Sequence, residues 1–144
     1  MTRVGILGAT GYAGAELVRI LACHNEVDLT ILTSRQHAGT RFDRVFPALA
    51  RMVNLTCEEL SVDKINDSAD VIFIALPHKI PMEIVPQFIQ KGKKVIDLSA
   101  DFRFSESSKY EAVYQKHTAK DLLSKAVYGL PEIYFDNKSL AVCF

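Results

Sequence analysis

Three glycines near the amino terminus, Gly8, Gly11 and Gly14, follow one another at intervals of three residues. The apolar run at residues 3–7 precedes them, and apolar residues recur every three or four positions after Gly11, as in an amphipathic helix. A strand, a glycine turn and a helix in this order present free backbone N–H groups and the positive end of the helix dipole. The pattern therefore predicts a turn that binds the phosphates of a dinucleotide.

The spacing of these glycines, G-x-x-G-x-x-G, differs from the G-x-G-x-x-G of the standard dinucleotide fingerprint. The alternative interpretation is a strand–helix turn that needs positive φ and binds no ligand. The context, directly after a strand and at the start of a helix, favours a dinucleotide. We expect Gly8 to make the tight turn, Gly11 to let the backbone approach a pyrophosphate, and Gly14 to let the helix pack closely on the strand.

The residues after the second predicted strand, which spans residues 27–33, indicate which dinucleotide is bound. In the standard fingerprint, a carboxylate about 20 residues beyond the glycines binds the ribose 2′-hydroxyl. Here Ser34 and Arg35 follow the strand, so a hydroxyl donor and a guanidinium replace the carboxylate. A guanidinium donates two hydrogen bonds to a phosphate, which favours NADP over NAD. The alternative is that Arg35 is an ordinary surface arginine.

Strand and helix patterns alternate along the chain and predict an α/β fold of the Rossmann type. We expect a doubly wound, mainly parallel sheet with helices on both faces. Residues 36–54 are predicted as a loop with one short helix, and residues 65–69 as a turn or helical turn. The predicted strands are residues 3–7, 27–33, 55–62, 70–76, 94–98 and the start of a strand at 140–144. The predicted helices are residues 12–24, 81–91 and 105–117.

Ligands of open parallel sheets lie beyond the carboxyl ends of the strands. Two segments should therefore meet the glycine turn: Leu76, Pro77 and His78 at the end of the strand at residues 70–76, and Ser99, Ala100 and Asp101 after the next strand. A histidine at such a place serves as a general base or as a hydrogen-bond partner of backbone or cofactor. We assign His78 to the cofactor and not to catalysis.

Composition restricts the classes of partner. The 144 residues suit one domain, and the 17 basic and 17 acidic residues cancel, which argues against nucleic acid as a partner. No apolar run reaches the roughly 20 residues of a membrane span, and the chain enters a strand at once, so we expect no membrane association and a cytoplasmic location. Three widely spaced cysteines argue against a disulfide framework and a zinc site.

Five motifs together resemble the N-acetyl-gamma-glutamyl-phosphate reductase family, the NADP-dependent enzymes of arginine biosynthesis, in order and spacing. They lie at residues 8–17, 33–35, 76–78, 97–103 and 128–133. The resemblance covers essentially the whole chain. The first motif alone does not exclude the related aspartate-semialdehyde dehydrogenases, whereas residues 76–78 and 128–133 favour the reductase.

The resemblance implies a reaction and a set of cofactor-binding residues. In the family, a cysteine thiolate attacks an acyl phosphate, phosphate leaves, and NADPH reduces the thioester to the aldehyde. A histidine from a second domain assists, and the full-length enzymes are expected to be homo-oligomers. The residues assigned to NADP(H) are Gly8, Thr10, Gly11, Tyr12, Ala13, Gly14, Ser34, Arg35, Leu76, Pro77, His78 and Ser99.

The end of the sequence departs from the family. The family's nucleophile lies in an Asn-Pro-Gly-Cys-Tyr segment, whereas residues 140–144 read Leu-Ala-Val-Cys-Phe. We therefore assign no catalytic residue, Cys143 included. Residues 1–144 are predicted to form an NADP-binding domain truncated before the catalytic domain, with the acyl phosphate bound only by the full-length enzyme and the fragment inactive alone. The alternatives are a stand-alone NADP-binding module that senses cofactor or binds a partner, and an aspartate-semialdehyde dehydrogenase fragment.

Overall fold

A parallel β-sheet forms around the first strand of the chain. The computed structural model describes residues 1–129 and the backbone of residues 142–143. The strands are β1 (Thr2–Leu7), β2 (Val27–Thr33), β3 (Cys57–Glu58), β4 (Val71–Ile74), β5 (Lys94–Asp97) and β6 (Val142–Cys143). They lie in the order β3-β2-β1-β4-β5-β6, and each neighbouring pair is parallel. The strand order reverses at β1, so a crevice is expected at the carboxyl ends of β1 and β4.

Helices cover both faces of the sheet, as the doubly wound prediction requires. Successive side chains of a strand point to opposite faces, and Val4 and Ile6 of β1 pack in a different apolar cluster from Leu7. The first cluster contains Val18 of the first helix; the second contains Phe88 of the fourth. The helices are α1 (Tyr12–Leu21), α2 (Phe42–Val45), α3 (Val62–Ser68), α4 (Ile80–Gln90), α5 (Ser107–Glu111) and α6 (Lys120–Leu123), with a 3-10 turn at Pro47–Leu49.

The region around β3 differs from the prediction. A strand was expected over residues 55–62, but only Cys57–Glu58 pair with β2, and α3 begins at Val62. Val62, Ile65 and Ala69 recur at helical spacing, and α3 with its C-cap Ala69 places all three against one apolar cluster, where Ile65 and Ala69 are buried and Val62 is half-buried. The single short helix expected in residues 36–54 is instead α2 followed by the 3-10 turn.

α1 and α5 are shorter than predicted. α1 ends at Leu21, three residues before the expected end. The helix expected over residues 105–117 is confined to α5, and α6 is a separate helical turn that the pattern did not predict. The strand start predicted at residues 140–144 is confirmed for β6, while the remaining residues of that segment and residues 130–133 lie outside the described residues.

Candidate functional site

The turn between β1 and α1 is held tightly against the ends of two strands. Gly8 has a φ of +79°, and a Cβ atom there would lie 2.4 Å from the carbonyl oxygen of Ala75. The backbone N–H groups of Gly8 and Ala9 both donate to the carbonyl oxygen of Thr33, at 3.1 and 2.9 Å. Gly8 therefore makes the tight turn expected of it, because a larger residue would be both strained and in collision.

The start of α1 lies open to a ligand. Gly11 is its N-cap, with extended backbone angles and no side-chain cap, so no side chain accepts from the first-turn N–H groups. A Cβ on Gly11 would meet only the carbonyl oxygen of Gly8, at 3.5 Å. At Gly14, by contrast, a Cβ would lie 2.1 Å from that oxygen, so the third glycine allows α1 to approach the turn closely. An uncapped helix start with free space above it fits a phosphate group.

A cleft of about 520 Å³ lies over this turn. It is lined by Gly8, Thr10, Gly11, Tyr12, Ala13, Ser34, Arg35, Gln36, Ala75, Leu76, Pro77 and Leu98. Nine of the twelve residues predicted from the sequence are among them. Gly14, His78 and Ser99 are not. The sequence analysis missed Ala75 and Leu98: it extended the two strands to residues 76 and 98, whereas β4 ends at Ile74 and β5 at Asp97, so both residues lie at the edge where ligands bind.

Two hydroxyl groups connect the glycine turn to the tip of β2. The Oγ1 atom of Thr10 and the Oγ atom of Ser34 are 2.6 Å apart. The Ser34 oxygen also accepts the backbone N–H of His37 at 3.1 Å, and the Ser34 N–H donates to the carbonyl oxygen of Glu58. Ser34 is buried, whereas the neighbouring Arg35 is exposed at the cleft.

The side chain of Ser99 bonds within the protein at the end of β5. Its hydroxyl donates to Oδ2 of Asp97 at 2.7 Å and accepts the N–H of Asp101 at 3.1 Å. Oδ1 of Asp97 accepts the Ser99 N–H at 2.9 Å. Burial raises the pKa of Asp97 to about 6, and the two hydrogen bonds from Ser99 oppose that rise. The Ser99 hydroxyl therefore fixes the chain after β5.

Asp101 joins this segment to the start of α4. Its Oδ2 atom accepts the N–H groups of Lys79 and Met82, at 2.8 and 3.3 Å, so a distant carboxylate caps the helix. Its Oδ1 atom accepts the hydroxyl of Tyr110 at 2.7 Å. Burial, then the bond to Asp101, raise the pKa of Tyr110. Asp101, Tyr110 and His117 form a buried polar cluster, in which the backbone carbonyl of Asp101 bonds His117.

His117 is held as one tautomer. The Ala119 N–H donates to its Nδ1 atom at 3.1 Å, and its Nε2 atom lies 2.7 Å from the carbonyl oxygen of Asp101. Because a carbonyl oxygen only accepts, Nε2 carries the proton and donates it. The sequence pattern did not reveal this cluster, since its members are joined by tertiary contacts.

His78 lies beside the cleft and outside its lining. The ring is exposed, its Nδ1 atom is 3.5 Å from the Ala100 nitrogen, and its centroid is 5.0 Å from that of Tyr114. Its assignment to the cofactor stays a prediction. Within residues 1–129, no cluster of three or more His, Cys, Asp or Glu side chains could hold a metal ion. None of the helices described is long and apolar enough to cross a membrane.

The sequence of the chain is similar to a known protein family and to curated proteins. Residues 3–141 match the family described as "Semialdehyde dehydrogenase, NAD binding domain". N-acetyl-gamma-glutamyl-phosphate reductase of Desulforapulum autotrophicum is 52% identical over 136 residues, which are 94% of this chain and 39% of the relative. The protein of that name from Geobacter sulfurreducens is 50% identical over 133 residues, 92% of this chain and 38% of the relative. The chain thus spans about two fifths of the length of these curated relatives.

Solved structures share the fold at lower identity. Aspartate semialdehyde dehydrogenase with NADP from Candida albicans has a TM-score of 0.63 and 22% identity, covering 74% of this chain and 32% of that chain. Aspartate semialdehyde dehydrogenase II complexed with ASA from Vibrio cholerae has a TM-score of 0.58 and 21% identity, over 74% and 33% of the two chains. These similarities support the Rossmann-type architecture.

Proposed function

The chain belongs to the semialdehyde dehydrogenase NAD-binding domain family, and we propose that it binds NADP(H) between the glycine turn and the tip of β2. The first-turn N–H groups of α1 would hold the pyrophosphate, and Ser34 and Arg35 the 2′-phosphate. One observation carries the proposal: the uncapped start of α1 and the Ser34–Arg35 pair line the same cleft.

The electrostatics of the cleft suit a phosphorylated ribose. Residues 33–37 read Thr-Ser-Arg-Gln-His, so β2 is followed by no carboxylate that would repel a phosphate. The exposed Arg35 is able to donate two parallel hydrogen bonds to phosphate oxygens. The residues present therefore fit NADP(H) better than NAD(H).

We further propose that this binding serves the reaction of the reductases to which the chain is about 50% identical, the reduction of N-acetyl-glutamyl phosphate to N-acetylglutamate semialdehyde. Identities near 50% to N-acetyl-gamma-glutamyl-phosphate reductases, against 22% to an aspartate semialdehyde dehydrogenase, support this choice. NADPH supplies the hydride in that reaction. Leu76, Pro77 and Leu98 give the cleft an apolar wall, which would exclude water from the part of a cofactor bound against it.

The remaining proposals concern the protein as a whole. Residues 1–144 are proposed to act as one NADP-binding domain, and no residue among them is assigned to catalysis, Cys143 included. The acyl-phosphate substrate, a homo-oligomeric assembly and a cytoplasmic location are proposed together with the reductase reaction.

A substitution at Gly11 tests the cofactor site. Valine tolerates the extended backbone of Gly11, and a Cβ there meets one atom at ordinary contact distance, so Gly11→Val is expected to fold. The branched side chain would occupy the pyrophosphate position, and NADPH binding should be lost in calorimetric titration. Gly11→Ala should weaken binding less. Circular dichroism checks the fold, and undiminished NADPH affinity in folded Gly11→Val would show that the cofactor binds elsewhere.

A further inference from the structure

We infer that Thr10 determines the preference for a phosphorylated ribose by acting through Ser34; the inference rests on the proposed NADP(H) function. Thr10 belongs to the glycine turn and Ser34 to the tip of β2, and their hydroxyl oxygens are 2.6 Å apart. This contact joins the part of the cleft assigned to the pyrophosphate to the part assigned to the 2′-phosphate.

The hydrogen bonds of Ser34 decide what its hydroxyl offers to a ligand. A hydroxyl group donates one hydrogen bond and accepts two. The Ser34 oxygen accepts the N–H of His37. When Thr10 also donates to it, both lone pairs of Ser34 are used and its proton remains free. With Thr10 as the donor of this 2.6 Å contact, Ser34 is left as a donor only.

A donor-only hydroxyl distinguishes the two cofactors. The 2′-phosphate of NADP(H) brings oxygens that only accept, so it uses the free Ser34 proton. The 2′-hydroxyl of NAD(H) accepts that proton too, but its own proton then finds no acceptor on Ser34. A desolvated donor without an acceptor costs free energy, and this cost falls on NAD(H) alone.

The backbone holds the two hydroxyls together without any ligand. The carbonyl oxygen of Thr33 accepts the N–H groups of Gly8 and Ala9, which fixes the turn against β2. The Ser34 N–H donates to the carbonyl oxygen of Glu58, which fixes the tip from its other side. Thr10 and Ser34 are therefore positioned before cofactor arrives, and specificity costs no rearrangement.

A double-mutant cycle tests the inference. The dissociation constants of NADPH and NADH are measured by fluorescence titration for the parent, Thr10→Val, Ser34→Ala and the double variant. We expect Thr10→Val to lower the ratio Kd(NADH)/Kd(NADPH) by about three- to tenfold, the worth of one hydrogen bond. The same substitution should change the ratio by less than about twofold in the Ser34→Ala background, since Thr10 acts through Ser34. Thr10→Ser keeps the hydroxyl and should keep the ratio of the parent.

The outcomes separate this inference from the proposed function. A parent that binds NADPH and NADH equally would overturn both. A parent that prefers NADPH, with a ratio that Thr10→Val leaves unchanged, would overturn only the role of Thr10. The role of Thr10 would also be overturned if Thr10→Val changed the ratio equally in the parent and in the Ser34→Ala background, because Thr10 would then act independently of Ser34. Thermal unfolding of each variant identifies a loss of fold. If Thr10→Val does not fold, Thr10→Ala, which also lacks the hydroxyl, takes its place in the cycle.

Discussion

The carboxylate of Asp101 accepts the backbone N–H of Lys79 at 2.8 Å, although 22 residues separate the two in sequence. Lys79 is the N-cap of α4 and has a φ of +85°, an unfavourable backbone conformation for a residue with a side chain. Leu76 and Pro77 line the cleft, and only His78 separates Pro77 from this cap. The bond therefore fixes the end of one wall of the cleft to the segment after β5.

Replacement of Asp101 tests this connection. Asp101→Ala leaves the N–H groups of Lys79 and Met82 and the hydroxyl of Tyr110 without their acceptor, and Met82 and Tyr110 are buried. We expect a loss of about 2–4 kcal/mol in the free energy of unfolding, measured in urea. Tyr110→Phe removes one of the three bonds and should cost about 1–2 kcal/mol. A loss below about 0.5 kcal/mol in Asp101→Ala, as expected of the exposed control Asp121→Ala, would contradict the capping role.

The buried carboxyl of Asp97 predicts a pH dependence of stability. Its pKa is about 6 in the folded protein against a usual value of 3.8, so between these pH values the folded state keeps a proton that the unfolded state has released. The contribution of Asp97 to stability is thus full below about pH 4, declines as pH rises, and is gone above about pH 6. At about 1.4 kcal/mol per pKa unit, the decline amounts to about 3 kcal/mol.

Urea unfolding between pH 4 and pH 7 measures this decline. Asp97→Asn cannot ionise and retains an acceptor oxygen for the Ser99 N–H, so its stability should vary less with pH over that interval. The difference between the two profiles isolates Asp97 from the other titrating groups. Parallel profiles for the parent and Asp97→Asn would contradict the raised pKa.

The third glycine should affect stability and not only binding. In Gly14→Ala the new methyl group would lie 2.1 Å from the carbonyl oxygen of Gly8 and 2.8 Å from the Cα of Ala9, so α1 must move away from the turn. We expect at least about 2 kcal/mol of destabilisation and a lower Tm in thermal unfolding. Gly11→Ala, three residues earlier and without such contacts, is the matched control and should keep the Tm. Equal Tm values for the two variants would show that the close approach is not rigid.

The sequence predicted those parts of the fold that local patterns determine. β2 has the predicted bounds, and the glycine spacing placed the turn because Gly8 requires positive φ and Gly14 a close approach. The prediction of a strand over residues 55–62 was wrong: only β3 is a strand there, and α3 begins at Val62. A short alternating run does not distinguish a two-residue strand from the start of a helix.

The sequence predicted the site residues that directly follow strand ends. It did not predict those that are joined by hydrogen bonds between distant parts of the chain. Ser34 and Arg35 follow β2 directly, so the sequence alone placed them at the cleft. The bonds of Asp101 to Lys79, and of His117 to Asp101, join residues 16 to 22 positions apart. No periodicity records such contacts, and the same holds for the contact between Thr10 and Ser34.

The ratio Kd(NADH)/Kd(NADPH), measured for the parent and for Arg35→Ala, tests the proposed cofactor site most directly. We expect a parent ratio well above one and a fall of roughly tenfold or more in Arg35→Ala, because hydrogen bonds to charged groups contribute roughly 1.5–3 kcal/mol. NADH affinity should stay the same, and Arg44→Ala, an exposed arginine outside the cleft lining, should behave as the parent. Equal affinity of the parent for both cofactors, or an unchanged ratio in Arg35→Ala, would show that Arg35 does not bind a 2′-phosphate in this cleft.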